Sequence, residues 1–299
     1  SKSDISKIKP LVLDFAKELG WNPSYFIKSS KDEKSNGYLV IEHGLQNAAI
    51  ISFLNVRNDD LTNLEEENLL SLSYNNLVNW HITIDERFIN YYYILNKEKR
   101  KVETRKIEQG NESESLSIQT FYEIIEKKPN SNLKALDDVL IDNISKWKRI
   151  ISAELNNNID LVSLSHLFNA IIFLRSIEDT KKRNNELLST TRILVDVITN
   201  NFEDNFCEVI KKIEFLLIEI PDYIVDKERL LCFNNLSSND IRRLFNSFYE
   251  NEFNRFKYDF SIMTKQALSR IYQKYVSLLS VCLTTELIQE NLFGFSKVP

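Results

Sequence analysis

Glycine and proline are scarce, at five residues each in a chain of 299. Sandwiches and barrels rich in tight turns need special backbone angles at many positions, so that class is disfavoured and helices are favoured. The glycines Gly20, Gly37, Gly44, Gly110 and Gly294 also stand apart, none within two residues of another. A Gly-rich turn is what lets a backbone approach a dinucleotide, a nucleoside triphosphate or S-adenosylmethionine, so a standard cofactor loop or P-loop is excluded. The three cysteines, Cys207, Cys232 and Cys282, are isolated and odd in number. They do not make a disulfide framework, and each is read as a buried reduced thiol. His43, His81 and His166 lack zinc-ligand spacing with any cysteine and lack a Ser or Cys partner signature, so each is assigned an ordinary polar or core role. No window reaches the ~18 to 20 apolar residues of a membrane span. Ser1 to Pro10 has no apolar stretch that would make a secretory signal. The expected compartment is cytoplasmic, with no membrane partner. Phe293 to Pro299 lacks capping character and reads as a cut through a longer protein.

What is present is a globular composition. Hydrophobic residues make up 43% and charged residues 27%, with 18 Phe and 12 Tyr, enough for an aromatic-rich core and for two domains. The net charge is −5. A dedicated non-specific nucleic-acid binder is usually basic overall, so contact with DNA would fall to a local patch.

Apolar residues from Ile8 to Leu19 recur at helical spacing, and Gly20 is a natural stop. Tyr38 to Glu42 and Ala48 to Val56 read as strands joined through His43 to Asn47. Leu61 to Tyr74 reads as a helix. Trp80 to Ile84 and Phe88 to Leu95 form a second hairpin about Asp85-Glu86-Arg87, on β-branched and aromatic content. Asn22-Pro23-Ser24-Tyr25 reads as a plain turn. Gln109 to Ser117 reads as a linker. Beyond it only helical patterns occur: Leu136 to Leu155, Leu161 to Glu178, Asn184 to Asn200, Phe206 to Glu219, Asp240 to Phe256 and Thr264 to Leu283. Ser238 and Asn239 are candidate N-caps for the Asp240 helix.

Three stretches carry a likeness. Leu167 to Asp179, with Phe173, Arg175 and Asp179, resembles the "lnrllFlRflEDr" helix of type IIG restriction–modification enzymes. Tyr258-Asp259-Phe260-Ser261-Ile262, running to Leu268–Tyr275 with Tyr272, resembles their "YdFsvIpvelLgsiYEqfL" segment. Leu136-Asp137-Asp138 with Trp147 and Arg149 is similar to their "lDd…WR" helix. Order and spacing agree, and together the three cover most of residues 133–290.

The resemblance implies a mainly α fold. A small N-terminal α+β domain, restriction-endonuclease-like but degenerate, would occupy 1–107. A linker over 108–117 would lead to an all-α connector over 118–299, preceding a methyltransferase domain. A metal-dependent nuclease of that kind needs an acid on one strand and an acid-x-Lys on the next, to hold Mg²⁺ and position a water. In the implied alignment Gly37 stands at the first acid, and Ser52 and Leu54 at the acid and the lysine. The family's "vlTNG" turn becomes Ile84-Asp85-Glu86. No catalytic or metal residue is assigned, and S-adenosylmethionine and Mg²⁺ would belong to the whole enzyme. The implied role is a non-catalytic DNA-engaging and scaffolding part of a restriction–modification or phage-defence adenine methyltransferase. Its partners would be DNA and the following methyltransferase domain.

Trp147, Arg149, Phe173, Arg175, Asp179, Tyr258, Phe260 and Tyr272 are candidate structural or interdomain residues. Arg175 and Asp179 form an i,i+4 pair of opposite charge. Lys97, Lys99, Arg100, Lys101, Arg105 and Lys106 form a candidate phosphate-facing segment, interrupted by Glu98 and Glu103. It reads equally as a solvated strand exit. Two other readings stand: an active Mg²⁺-dependent nuclease using Glu42, Asp59 and Asp60, and a helical protein-interaction module with no nucleic-acid role.

Overall fold

A computed structural model describes residues 10, 12–27, 34–43, 46–107, 112–155, 159–200, 205–218, 226–250, 256–264, 267–275 and 277. The chain divides into two compact units, residues 1–136 with 262–267, and residues 137–261 with 268–299. The fold is mainly α with an α+β part at the N-terminal side, as expected.

The first unit is built on one six-stranded sheet whose spatial order follows the chain: β1 (Asn22–Ile27), β2 (Ser35–His43), β3 (Gln46–Leu54), β4 (Trp80–Ile84), β5 (Phe88–Tyr93) and β6 (Lys101–Lys106). Neighbours are antiparallel except β3 and β4, which run parallel. A parallel pair needs a crossover, which helix α2 (Asn63–Asn75) supplies. Thr62 starts that helix with a capping box: its hydroxyl accepts from Glu65 N at 3.3 Å, and Glu65 Oε2 accepts from Thr62 N at 2.9 Å.

The period-2 alternation of the strands gives the sheet two faces. Leu39, Ile41, Ala49, Ile51, Ile82, Ile89 and Tyr91 pack with Ala16 of helix α1 (12–18), with Leu19 and Trp21 just beyond it, and with Phe121 and Ile124 of helix α4 (Ile118–Ile125). On the opposite face Tyr38, Val40 and Ile50 pack with Leu69 and Leu72 of α2 and with Ile262. Asn76 fixes that last segment, donating to Ile262 O at 3.0 Å and accepting from Thr264 N at 2.8 Å.

Both expected hairpins are present, β2 with β3 and β4 with β5, within one sheet. Other expectations are corrected. Asn22 to Tyr25 belongs to β1 and is not a plain turn. β1 is an edge strand with an irregularity between Pro23 and Tyr25, where a residue without an N–H is tolerated. The linker over 108–117 contains helix α3 (Glu112–Leu116), whose Leu116 enters the sheet's core; residues 108–111 lie outside the described residues. The division into units therefore falls near 136 rather than at 108–117, because α4 covers the sheet.

The second unit is helical: α5 (Leu136–Glu154), α6 (Leu161–Arg183), α7 (Ile193–Asn200), α8 (Phe206–Leu217), α9 (Lys227–Leu230), α10 (Ser238–Asn246) and α11 (267–275). Asp160 caps α6, accepting from Ser163 N at 2.6 Å, and Asn205 caps α8. The cap of α10 is Ser237, one residue before the expected pair. Helix α7 begins at Ile193 rather than near 184. Helix α10 ends at Asn246 rather than running on to 256. Residues 251–255 and 278–283, with Cys282 and 293–299, lie outside the described residues. Cys207 is buried and Cys232 half-buried, both as free thiols. Among the described residues no helix is long and apolar enough to cross a membrane.

Candidate functional site

Gly37 and Ser52, on adjacent strands, mark the positions where the likeness implies metal-holding acids. Gly37 lies under the ring of Phe26: a Cβ there would stand 2.3 Å from Phe26 Cζ. Real Cβ atoms do not approach carbon that closely, so an acid could enter only by displacing the ring. Ser52 is fully buried, and its Oγ lies 2.7 Å from His81 Nε2. The other ring nitrogen, Nδ1, lies 2.8 Å from Ser73 Oγ, which itself donates to Trp80 O at 3.2 Å. One proton assignment satisfies all of these groups: Nδ1–H donates to Ser73, and Ser52 donates to Nε2. Burial pushes His81 down to about 3, so the ring is neutral. A serine–imidazole pair in the open could be a nucleophile and base. Sealed between β3, β4 and α2, this one ties strands to helix.

Further along the same face, Asn58 bridges the ends of β3 and β4. Thr83 Oγ1 donates to Asn58 Oδ1 at 2.6 Å, and Asp85 Oδ2 accepts from Asn58 N at 2.6 Å and from Asn58 Nδ2 at 2.8 Å. Asp85 Oδ1 takes the N–H groups of Arg87 and Phe88, closing the β4–β5 turn. Desolvation raises the Asp85 pKa, but these donors outweigh it and hold the carboxyl below its ordinary value. The acid set Glu42, Asp59 and Asp60 does not come together. Glu42 pairs with Asn47 at the start of β3, and Asp59 and Asp60 follow its end. At about 3.3 Å per residue the strand separates them by roughly 20 Å. Among the described residues no three His, Cys, Asp or Glu side chains form a metal set.

The basic segment divides in two. Arg100 pairs with Glu67 at 2.9 Å, and Arg105 with Glu103 at 2.9 Å, where Lys127 also binds at 2.6 Å. Lys97, Lys99, Lys101 and Lys106 are exposed. Among the described residues none of these four enters an ion pair; Lys101 rests 5.7 Å from the centroid of the Tyr92 ring. The solvated strand exit is an edge strand, β6.

The second unit joins the similar segments through buried charge. Arg175 donates to both oxygens of Asp179, at 2.7 and 2.9 Å, and to Phe248 O at 3.2 Å. Its guanidinium lies 4.0 Å from the centroid of Tyr249 and 5.6 Å from that of Phe260. Asp179 also accepts from Phe260 N at 3.0 Å, and Glu178 accepts from Tyr249 Oη at 2.5 Å and pairs with Lys182. Burial opposes the charge on Arg175, but Asp179, Tyr249 and Glu178 raise its pKa. Asp259 is pushed upward by desolvation and by the neighbouring Asp179. Buried Asp137 pairs with Lys274 at 2.6 Å and Arg270 at 3.3 Å. Trp147 and Tyr258 are buried packing groups. Arg149, Phe173 and Tyr272 are exposed, so Tyr272 offers most of its ring to solvent rather than to the core.

The sequence reading missed the partners of His81, the Asn58–Asp85 bridge, and the loop residues that lie beside Lys97. Only Asp85, at a turn between two strands, carried a signal, since a turn aspartate caps backbone N–H groups. Comparison with protein-family models, with curated proteins and with solved structures found no match.

Proposed function

We propose that the chain is a non-catalytic DNA-engaging and scaffolding part of a restriction–modification or phage-defence adenine DNA methyltransferase. In this reading the first unit is a degenerate restriction-endonuclease-like domain that meets DNA without cutting it. The helical unit supports a methyltransferase domain, which would carry S-adenosylmethionine.

The observation that carries the reading is the junction in the second unit. Stretches similar to one family by sequence, at 136–138, 167–179 and 258–275, meet through Arg175–Asp179–Phe260 and Asp137–Lys274. Such pairs hold one arrangement, because losing the partner strands the buried charge of Arg175, Asp179 or Asp137 away from water. The first unit supports the non-cleaving part, with the Phe26 ring over Gly37 and Ser52 committed to His81.

Purified chain with plasmid DNA and Mg²⁺ is expected to leave the plasmid intact while retarding a duplex fragment at low salt. Magnesium-dependent nicking, or turnover with S-adenosylmethionine, defeats the proposal. One feature favours the protein-interaction reading: Phe215 and Leu216 are exposed beside Val197, Lys211 and Lys212 around a cavity of about 350 Å³. Failure of DNA binding at every salt concentration would leave that reading in its place.

A further inference from the structure

We propose that a lysine corner built from two segments distant in sequence takes the phosphate backbone of duplex DNA, with Lys128 and Lys134 acting beside Lys97, Lys99 and Lys101. The inference rests on the DNA-engaging reading above and names where that contact occurs.

The β5–β6 turn and the α4–α5 loop are tied together. Leu95 O accepts from Asn132 N at 3.0 Å and from Leu133 N at 3.1 Å. Asn96 Nδ2 donates to Asn130 O at 2.8 Å, and Lys97 N to Asn132 Oδ1 at 2.9 Å. The Tyr93 hydroxyl meets that of Ser131. Asn96 also folds the turn back on itself, accepting from Glu98 N and Lys99 N. This clasp sets exposed Lys128 and Lys134 at the corner that presents exposed Lys97, Lys99 and Lys101. The acids there are fewer. Glu98 and Glu126 are exposed, while Glu67 and Glu103 are engaged by Arg100, Arg105 and Lys127.

The corner is therefore locally positive on a chain whose net charge is −5. Exposed lysines on a hydrogen-bonded turn suit a polyanion with regularly spaced charge, whose condensed counterions they release. Arg100 and Arg105, spent on internal carboxylates, contribute little. Lys106 lies five residues along β6 from Lys101, roughly 17 Å away, and is peripheral.

The test is fluorescence anisotropy of a labelled duplex titrated with the full chain over stepped salt. Each phosphate contact adds about 0.9 to the slope of log K against log salt. K128A/K134A should lower that slope by about 1 to 2, and K97A/K99A/K101A by about 2 to 3. R100A/R105A should leave it unchanged, with circular dichroism confirming each fold. Binding whose slope ignores K128A/K134A, or falls only with R100A/R105A, overturns the corner while sparing the DNA-engaging reading. Competition by polyglutamate as strong as by DNA at equal charge overturns it in favour of an acidic protein partner. No binding by the unaltered chain removes both.

Discussion

The two units bury polar groups in opposite ways. Between the sheet and α2 they are mostly neutral, linked as Ser52–His81–Ser73 and Thr83–Asn58, with Asp85 at the rim. The helical unit buries full charges: Arg175 with Asp179 and Glu178, and Asp137, whose partner Lys274 is only part-buried. A neutral network costs little to desolvate and holds register through direction, since each donor must face its acceptor. A buried ion pair is expensive to desolvate and holds its arrangement through the penalty for separation. The first unit should thus be sensitive to protonation, and the second to truncation.

The sharpest contrast is expected from Arg175→Ala, which leaves Asp179 and Glu178 buried without their guanidinium. A loss of about 3–5 kcal/mol is expected, read as a fall in the urea midpoint. The double variant Arg175→Met/Asp179→Leu should lose much less than the two single losses added together. Additive losses would remove the distinction between the units.

Acid should act on the first unit through His81. Its folded pKa is about 3 against an ordinary value of 6.5, so below 6.5 the unfolded chain binds the extra proton. Stability is therefore full above 6.5 and declines as pH falls toward 3. About 2 kcal/mol should go between pH 6.5 and pH 5, at roughly 1.4 kcal/mol per unit. In His81→Gln that part of the pH dependence should vanish; a denaturation profile that keeps it places the titration elsewhere.

The smallest effect belongs to Ser52→Ala, which removes one donor to His81 and should cost about 1–2 kcal/mol. A loss as large as that of Arg175→Ala would mean that the neutral network is as unforgiving as the ion pairs.

Most of the longer helices were legible, though α3 was read as linker and α4 was not singled out. Four of the six strands were legible too, because Tyr38 to Val56 and Trp80 to Leu95 alternate or concentrate β-branched and aromatic residues. The outer strands were not. Pro23 argues locally for a turn, and Lys101 to Lys106 carries too much charge to resemble a strand. Both are edges, where one side of the ladder faces water and the usual composition is relaxed. The i,i+4 spacing of Arg175 and Asp179 announced the pair. Its burial, and the contact with Phe260, depended on residues more than seventy positions away. The basic segment was visible as charge, but its division depended on Glu67 and Glu103, and Lys128 and Lys134 joined it only through Asn96, Asn130 and Asn132.

The lone parallel pairing has a kinetic side. Every other strand contact closes through a connection short enough to form early, giving the triplets β1–β3 and β4–β6. Joining β3 to β4 requires residues 55–79 to be gathered first, so the loop-closure entropy of the sheet is concentrated in one event. Helix α2, opened by its own capping box, takes up 13 residues of that connection in a compact form.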